Sequence, residues 1–279
     1  MHINGHTRFL TLLGQPISTV KAPMIYNPYF KEQEINTVLL PMEVKPEQLT
    51  TLLSTLFTVP NFVGSLITMP HKISVMEMLD VISPAAAIAG SCNAVRRDQN
   101  GRLVGDMFDG EGFIRGMLHK GYKPAGKKAL VIGAGGVGCA IAASLAAAGI
   151  TKLGLYDVQP ELSQALAQRL QQHYPQLHIQ LSKPEPNDFD IIVNATPMGM
   201  QPDDPLPLDV SQLTANMFVG DVVMKNQFTP FLQAAQKQGC MIQIGTDMLF
   251  EQIPAYLEFF NLPATTATHL REVACIQYL

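Results

Sequence analysis

Three glycines carry the first chemical expectation. Gly133, Gly135 and Gly138 follow the apolar run Ala129–Ile132, in the order Gly133-Ala134-Gly135-Gly136-Val137-Gly138, and an alanine-rich stretch continues to Gly149. A strand, a glycine turn and a helix in this order can cradle a pyrophosphate. One glycine makes the tight turn, one lets the phosphates approach the backbone, and one lets helix and strand pack closely. The helix N-terminus then offers N–H groups to the phosphates. Asp157 ends a second apolar run, Lys152–Tyr156. It lies about 20 residues beyond the glycines, where a carboxylate accepts hydrogen bonds from an adenosine ribose and repels a 2′-phosphate. No Arg or Lys follows it before Arg169, so the sequence predicts NAD in preference to NADP. Asp157 is also placed to cap a helix starting near Pro160.

A second group of residues stands in the first half of the chain. In Thr68-Met69-Pro70-His71-Lys72 the proline stops a strand and puts Lys72 at a strand-to-helix junction, where functional groups often sit. Asn93 enters a strand that returns through the turn Gln99-Asn100-Gly101 as a hairpin. Asp109 precedes Gly110 and a helix expected over Glu111–Leu118. Local sequence alone leaves open whether Lys72 and Asp109 ever meet. His71 is expected to cap or pack rather than act as a base.

Taken together, Gly64 to Lys72, Asn93, Asp109 with Gly110, and the glycine loop resemble the shikimate dehydrogenases in order and spacing. Asn194-Ala195-Thr196-Pro197-Met198-Gly199-Met200 is similar to that family's second cofactor loop, and Gly245, Met248 and Gln252 look like its C-terminal helix motif. The resemblance spans nearly the whole chain. It implies an α/β fold with a substrate domain over residues 1–110 plus 246–279, a Rossmann domain over 111–245, and a site in the cleft separating them. It also implies Lys72 and Asp109 as the catalytic pair. Such a pair suits alcohol oxidation, which sends a hydride to the nicotinamide and a proton to a base. Desolvation favours the neutral amine of a lysine, and a neighbouring carboxylate favours the ammonium. Thr68, Asn93 and Gln252 would bind substrate hydroxyls. The cofactor-binding set would be Gly133, Ala134, Gly135, Gly136, Val137, Gly138, Asp157, Asn194, Ala195, Thr196, Pro197, Met200, Val222 and Gly245.

The departures from the family pattern concern the substrate. Two serines that bind the substrate carboxylate in the family correspond to Val20 and Ala22, read against Pro23. A site that used them would lose roughly 1–3 kcal/mol per missing polar partner. Lys21 or Thr19 could stand in, Lys21 as a point charge. Leu66 replaces an asparagine, Met107-Phe108 replaces an Asn-Thr pair, and Met224 replaces a tyrosine, which predicts a more apolar pocket. The implied substrate is shikimate, quinate or an analogue among hydroxylated ring carboxylates, with shikimate itself oxidised poorly. The alternative from another class is a non-catalytic ligand sensor on the same scaffold.

The elements that must hold these residues alternate along the chain. Strands are expected at Phe9–Leu13, Thr37–Met42, Phe62–Thr68, Leu177–Leu181, Phe189–Asn194, Phe218–Met224 and Met241–Ile244, beside the two already named. Helices are expected at Pro23–Phe30, Pro46–Phe57, Lys72–Leu79, Pro160–Gln172, Pro230–Gln238, Gly245–Phe260 and Ala264–Leu279. This alternation predicts α/β layers. A chain of 279 residues has the length of two domains. A net charge of −4 implies no broad basic surface, so nucleic acid is not an expected partner. The cysteines Cys92, Cys139, Cys240 and Cys275 form no C-x-x-C pair, which fits a reducing cytoplasm and gives no metal pattern. Met1–Arg8 lacks an apolar signal segment and no run has membrane-spanning length, so no membrane association is expected. A monomer or homodimer is expected.

Overall fold

The computed structural model describes residues 3–201 and 203–277. The chain divides into two compact units, one formed by residues up to Phe108 with those from Ile253 onward, the other by Asp109–Gln252.

The first unit contains β1 (Arg8–Gly14), α1 (Pro23–Glu32), β2 (Thr37–Glu43), α2 (Leu49–Leu56), β3 (Phe62–Ile67), α3 (His71–Ser74), β4 (Val81–Ile82), α4 (Pro84–Ala89), β5 (Ala94–Arg97) and β6 (Leu103–Asp106). Its six strands lie in the order β2-β1-β3-β5-β6-β4. β1 pairs in parallel with β2 and β3, while β5 runs antiparallel to β3 and β6. Leu10, Leu12 and Leu13 are buried along β1, the run without alternation expected of a parallel strand covered on both faces. Pro23 opens α1, where a missing N–H costs nothing.

Three stretches of this unit differ from the sequence reading. The helix expected over Lys72–Leu79 is only the single turn α3, followed by a 3₁₀ turn over Val75–Met78. Its cause is a sideways bond: the Lys72 carbonyl, which a continuing helix would give to Met76, accepts from Cys92 N–H at 2.8 Å. β4 and α4 were not foreseen, although Ser83 caps α4 by accepting from Ala86 N–H at 3.1 Å. The terminal helix expected over Ala264–Leu279 is confined to Ala267–Val273. Ahead of it, the Pro263 carbonyl accepts from the Tyr29 hydroxyl at 3.0 Å and ties that stretch to α1. Tyr278 and Leu279 lie outside the described residues.

The second unit contains α5 (Asp109–His119), β7 (Lys128–Ile132), α6 (Gly136–Ala147), β8 (Lys152–Tyr156), α7 (Pro160–His173), β9 (His178–Leu181), β10 (Ile191–Asn194), β11 (Phe218–Asp221), α8 (Pro230–Lys237), β12 (Met241–Gln243) and α9 (Gly245–Phe259). Its six strands lie in the order β12-β11-β10-β7-β8-β9, and every pairing is parallel. Leu130, Ile132, Ile192, Val219 and Phe231 form part of the core on one face of this sheet. β11 ends three residues earlier than expected, because the Asp221 carboxylate accepts from Val223 N–H at 3.0 Å and turns the chain.

The division at Gln252/Ile253 falls inside α9, so residues 246–252 group with the second unit and not with the substrate domain as the sequence implied. The first half of α9 is bound to the end of α5 and the residue after it: His119 Nδ1 lies 3.3 Å from Glu251, and Lys120 Nζ lies 2.9 Å from Asp247. At Gly112 the helices are so close that a Cβ would lie 2.5 Å from the Met248 carbonyl oxygen. Among the described residues no helix is long and apolar enough to cross a membrane, and no group of His, Cys, Asp and Glu could hold a metal ion.

The contact at Gly112 yields a stability prediction. Alanine gains about 1 kcal/mol of helix propensity over glycine, but forcing α5 from α9 costs about 1–3 kcal/mol. Gly112→Ala should therefore lower the thermal midpoint, followed by circular dichroism; an unchanged or higher midpoint would contradict this packing.

Candidate active site

In the second unit, strand order reverses between β7 and β10: β8 and β9 extend the sheet one way, β10, β11 and β12 the other. Ligands of parallel α/β sheets sit in the crevice at such a point, outside the carboxyl ends of the strands. The loops after β7 and β10 meet there. Gly133 has φ +102°, and a Cβ on it would lie 2.7 Å from the Ala195 carbonyl oxygen. A Cβ on Gly138 would strike the Gly133 carbonyl oxygen. These two glycines are thus demanded by the protein's own packing. Gly135 is different. Its φ is −73°, nothing lies within 4 Å of where its Cβ would be, and it is exposed. Neither packing nor backbone conformation requires glycine there, so the space it leaves fits a ligand approaching the start of α6, as a pyrophosphate would.

Asp157 holds this turn. Its Oδ2 accepts from Ala134 N–H at 2.7 Å and its Oδ1 from Gln159 N–H at 2.9 Å. Gly136 and Val137 are half-buried at the start of α6.

The second loop is shaped by Asn194, which is fully buried. Its Oδ1 accepts from Thr196 N–H at 3.2 Å and from the Thr196 hydroxyl at 2.6 Å, and its Nδ2 donates to the Met198 carbonyl at 3.0 Å. Ala195 and Thr196 are half-buried, Pro197 and Met200 exposed. Val222 N–H donates to the Asn194 carbonyl at 3.1 Å. A Cβ on Gly245 would lie 2.5 Å from the Val223 carbonyl oxygen, so the start of α9 closes against the same corner, near half-buried Met224. The predicted cofactor residues of this unit thus gather on loops at the carboxyl ends of its strands, although Asn194 faces inward and supports the loop. Gln252 is 5% exposed, and its Oε1 has no hydrogen-bond partner among the described residues. Asp109, 5% exposed, begins α5.

In the first unit, Thr68, Lys72 and Asn93 gather at one end of the sheet. Thr68 N–H donates to the Leu13 carbonyl at 2.9 Å, His71 N–H to the Thr68 carbonyl at 2.9 Å, and Asn93 N–H to the Asp106 carbonyl at 2.9 Å. Asn93 Oδ1 accepts from Phe108 N–H at 3.0 Å. Lys72 itself is half-buried. His71 packs, as expected: it is fully buried and its Nε2 lies 2.7 Å from the Val44 carbonyl. Burial pushes the Cys92 thiol up to about 12, against smaller opposing effects of the Ala94 and Asp106 backbone, so this buried cysteine is no nucleophile.

Lys21, a candidate for the substrate carboxylate, is buried and places Nζ 3.3 Å from the Gln277 carbonyl. Phe108 is buried, and its ring packs on Tyr256 and Phe259, with centroids 4.8 Å and 5.5 Å away. Val20 is half-buried, whereas Ala22, Leu66 and Met107 are buried.

Residues 12–95 match the shikimate dehydrogenase substrate binding domain. A shikimate dehydrogenase (NADP(+)) from Desulforamulus reducens is 33% identical over 260 residues, covering 90% of this chain and 88% of the relative. The chain belongs to the shikimate dehydrogenase family. Among solved structures, shikimate 5-dehydrogenase from Listeria monocytogenes in complex with shikimate and NAD matches with TM-score 0.90 at 27% identity, over 98% of each chain. Quinate dehydrogenase from Corynebacterium glutamicum in complex with NAD matches with TM-score 0.85 at 32% identity, over 96% of this chain and 98% of that one. The first unit carries the family's substrate domain and the second its Rossmann domain.

This membership corrects the expected preference for NAD over NADP. Curated relatives in the family are named for NADP(+). The physical reason is visible at Asp157: its two oxygens hold the backbone of the glycine turn and the chain after β8, so its presence in the sequence does not report on the ribose 2′ position. The sequence also missed Asp221, which bonds to Asn194 and Thr229. An aspartate closing an otherwise apolar strand was the available signal.

Thiol chemistry tests the setting of Lys72 in this family member. Alkylation of the native protein should label exposed Cys275 and spare Cys92, read by mass spectrometry of peptides. Labelling of Cys92 as fast as Cys275 would show that the junction carrying Lys72 is open.

Proposed function

We propose that the protein is a nicotinamide-dinucleotide-dependent oxidoreductase that interconverts a ring hydroxyl and a ketone on a hydroxylated ring carboxylate of the shikimate or quinate type. The observation that carries this reading is the glycine turn at the switch point of the second unit, with its unfilled space at Gly135, in a chain whose curated relatives are shikimate dehydrogenases. NADP is the form for which those relatives are named. When bound, the nicotinamide supplies the acceptor or donor of the hydride.

The chain's own residues supply the rest. Gly133–Gly138 and the start of α6 would bind the pyrophosphate, and Ala195–Met200 with Val222 and Gly245 would line the nicotinamide side. Lys72 would take the hydroxyl proton as the carbon is oxidised and return it in the reverse direction. Asp109 would accept a hydrogen bond from the lysine ammonium and share the proton transfer. Asn93, Thr68 and Gln252 would orient the ring through hydrogen bonds; the unpartnered Gln252 Oε1 is an acceptor suited to a substrate hydroxyl. Val20 and Ala22 offer no hydroxyl to a carboxylate, which supports weak binding of shikimate. The free, unpaired cysteines fit a cytoplasmic enzyme, as a monomer or homodimer. No observation favours a non-catalytic sensor.

Two kinetic outcomes test the proposal. Lys72→Ala should lower kcat by roughly 10²–10⁴-fold while dinucleotide affinity, titrated separately, stays within about twofold; retained turnover removes Lys72 from the mechanism. Wild-type enzyme assayed with shikimate, quinate and their amino analogues should give a KM for shikimate at or above roughly 1 mM, the upper end of the usual range. A micromolar value would contradict the reading of Val20 and Ala22.

A further inference from the structure

Asp221 ends β11 and has no part in the roles assigned above. It is 1% exposed. Its Oδ1 accepts from Asn194 Nδ2 at 3.2 Å and from Val223 N–H at 3.0 Å, and its Oδ2 accepts from the Thr229 hydroxyl at 2.7 Å. Among the described residues no Lys, Arg or His forms an ion pair with it. Burial pushes its carboxyl above the usual carboxylate range, and the hydrogen bonds from Thr229, Val223, Asn194 and Val222 only partly offset this. A buried acid with no counter-ion weakens the fold when ionised, so its presence calls for a reason other than stability.

That reason lies in the bonds it accepts. A carboxylate only accepts hydrogen bonds, whereas an amide has one accepting and one donating end. Asn194 gives its NH₂ to Asp221 and to the Met198 carbonyl and turns its Oδ1 to the Thr196 N–H, so the carboxylate and the loop backbone demand the same orientation of the amide. The Thr196 hydroxyl donates to the same Oδ1 and in turn accepts from Met198 N–H at 3.1 Å. The chain of bonds ends in the loop whose first residue, Ala195, lies against Gly133 of the glycine turn. Thr229 secures the other side, since its hydroxyl also accepts from Leu232 N–H at 3.3 Å at the start of α8.

We infer that Asp221 is a positioning residue for dinucleotide binding, which holds the Ala195–Met200 loop to the start of α8 by accepting from Asn194 on one side and Thr229 on the other. The inference rests on the dinucleotide reading of the second unit. Asp221→Asn keeps the shape but has only one accepting end: the Val223 N–H keeps its oxygen on the Asn194 side, so its NH₂ faces the Thr229 hydroxyl, which loses its acceptor. The same change removes a buried charge. Affinity and stability should therefore move apart.

The test titrates NADP⁺ and NAD⁺ separately into wild-type protein and Asp221→Asn by calorimetry, and compares thermal midpoints at neutral pH. For the nucleotide that wild type binds, Asp221→Asn should raise Kd about tenfold, the effect of one mismatched hydrogen bond, with no fall in midpoint. An unchanged Kd overturns the inference alone. A weaker Kd accompanied by a lower midpoint assigns Asp221 to structure only and also overturns it. Wild type that binds neither nucleotide overturns the dinucleotide reading and this inference with it. If Asp221→Asn does not fold, Thr229 decides: Thr229→Ser, which keeps the hydroxyl, should match wild type, and Thr229→Val should bind several-fold more weakly. Equal affinity in both would overturn the inference.

Discussion

At the turn after β7, backbone occupies the places where side chains would otherwise stand. The Gly133 carbonyl fills the space of a Cβ on Gly138, and the Ala195 carbonyl crowds that of a Cβ on Gly133. This steric limit brings the ends of β7 and β10 together at the point where strand order reverses, and it fixes where α6 begins. Other bonds of the second unit follow from it. Gly133 N–H donates to the Tyr156 carbonyl at 2.7 Å, and Asp157 takes the next N–H. The N-terminus of α6 is thereby aimed across the crevice at which parallel sheets bind phosphates.

The first unit solves its own positioning problem by different means. Lys72 is not carried on a regular helix. Its carbonyl is held by Cys92 N–H, the residue before it is anchored to Val44, and Thr68 is held to Leu13. Parts of the chain remote in sequence thus converge on one short junction. Breaking off α3 after a single turn leaves the lysine at an edge, while the cysteine that stops the helix is buried too deeply to compete as a nucleophile.

What the sequence made legible was what local spacing encodes. Glycines at fixed intervals after an apolar run, and strands alternating with helices, specify the Rossmann unit because each element needs only its neighbours in sequence. What escaped depends on bonds across long separations. Lys21 reads as a point charge for a carboxylate, and its contact with the Gln277 carbonyl, 256 residues away, leaves no local trace. Asp157 reads as a ribose ligand until its bond to Ala134, 23 residues back, is seen. The packing of Phe108 on Tyr256 and Phe259, about 150 residues on, is equally invisible in local sequence. Asp221 closes an apolar strand, a signal that names no partner; Asn194, 27 residues back, supplies its meaning. In each case the residue type was informative, and its partner decided the role.

Helix α5 is seated without slack. Gly110 meets the Ala140 carbonyl of α6, and Gly112 meets the Met248 carbonyl of α9. Backbone this close on two sides leaves no room for a Cβ at either glycine, so the packing of α5 decides where Asp109, at its start, stands in the second unit.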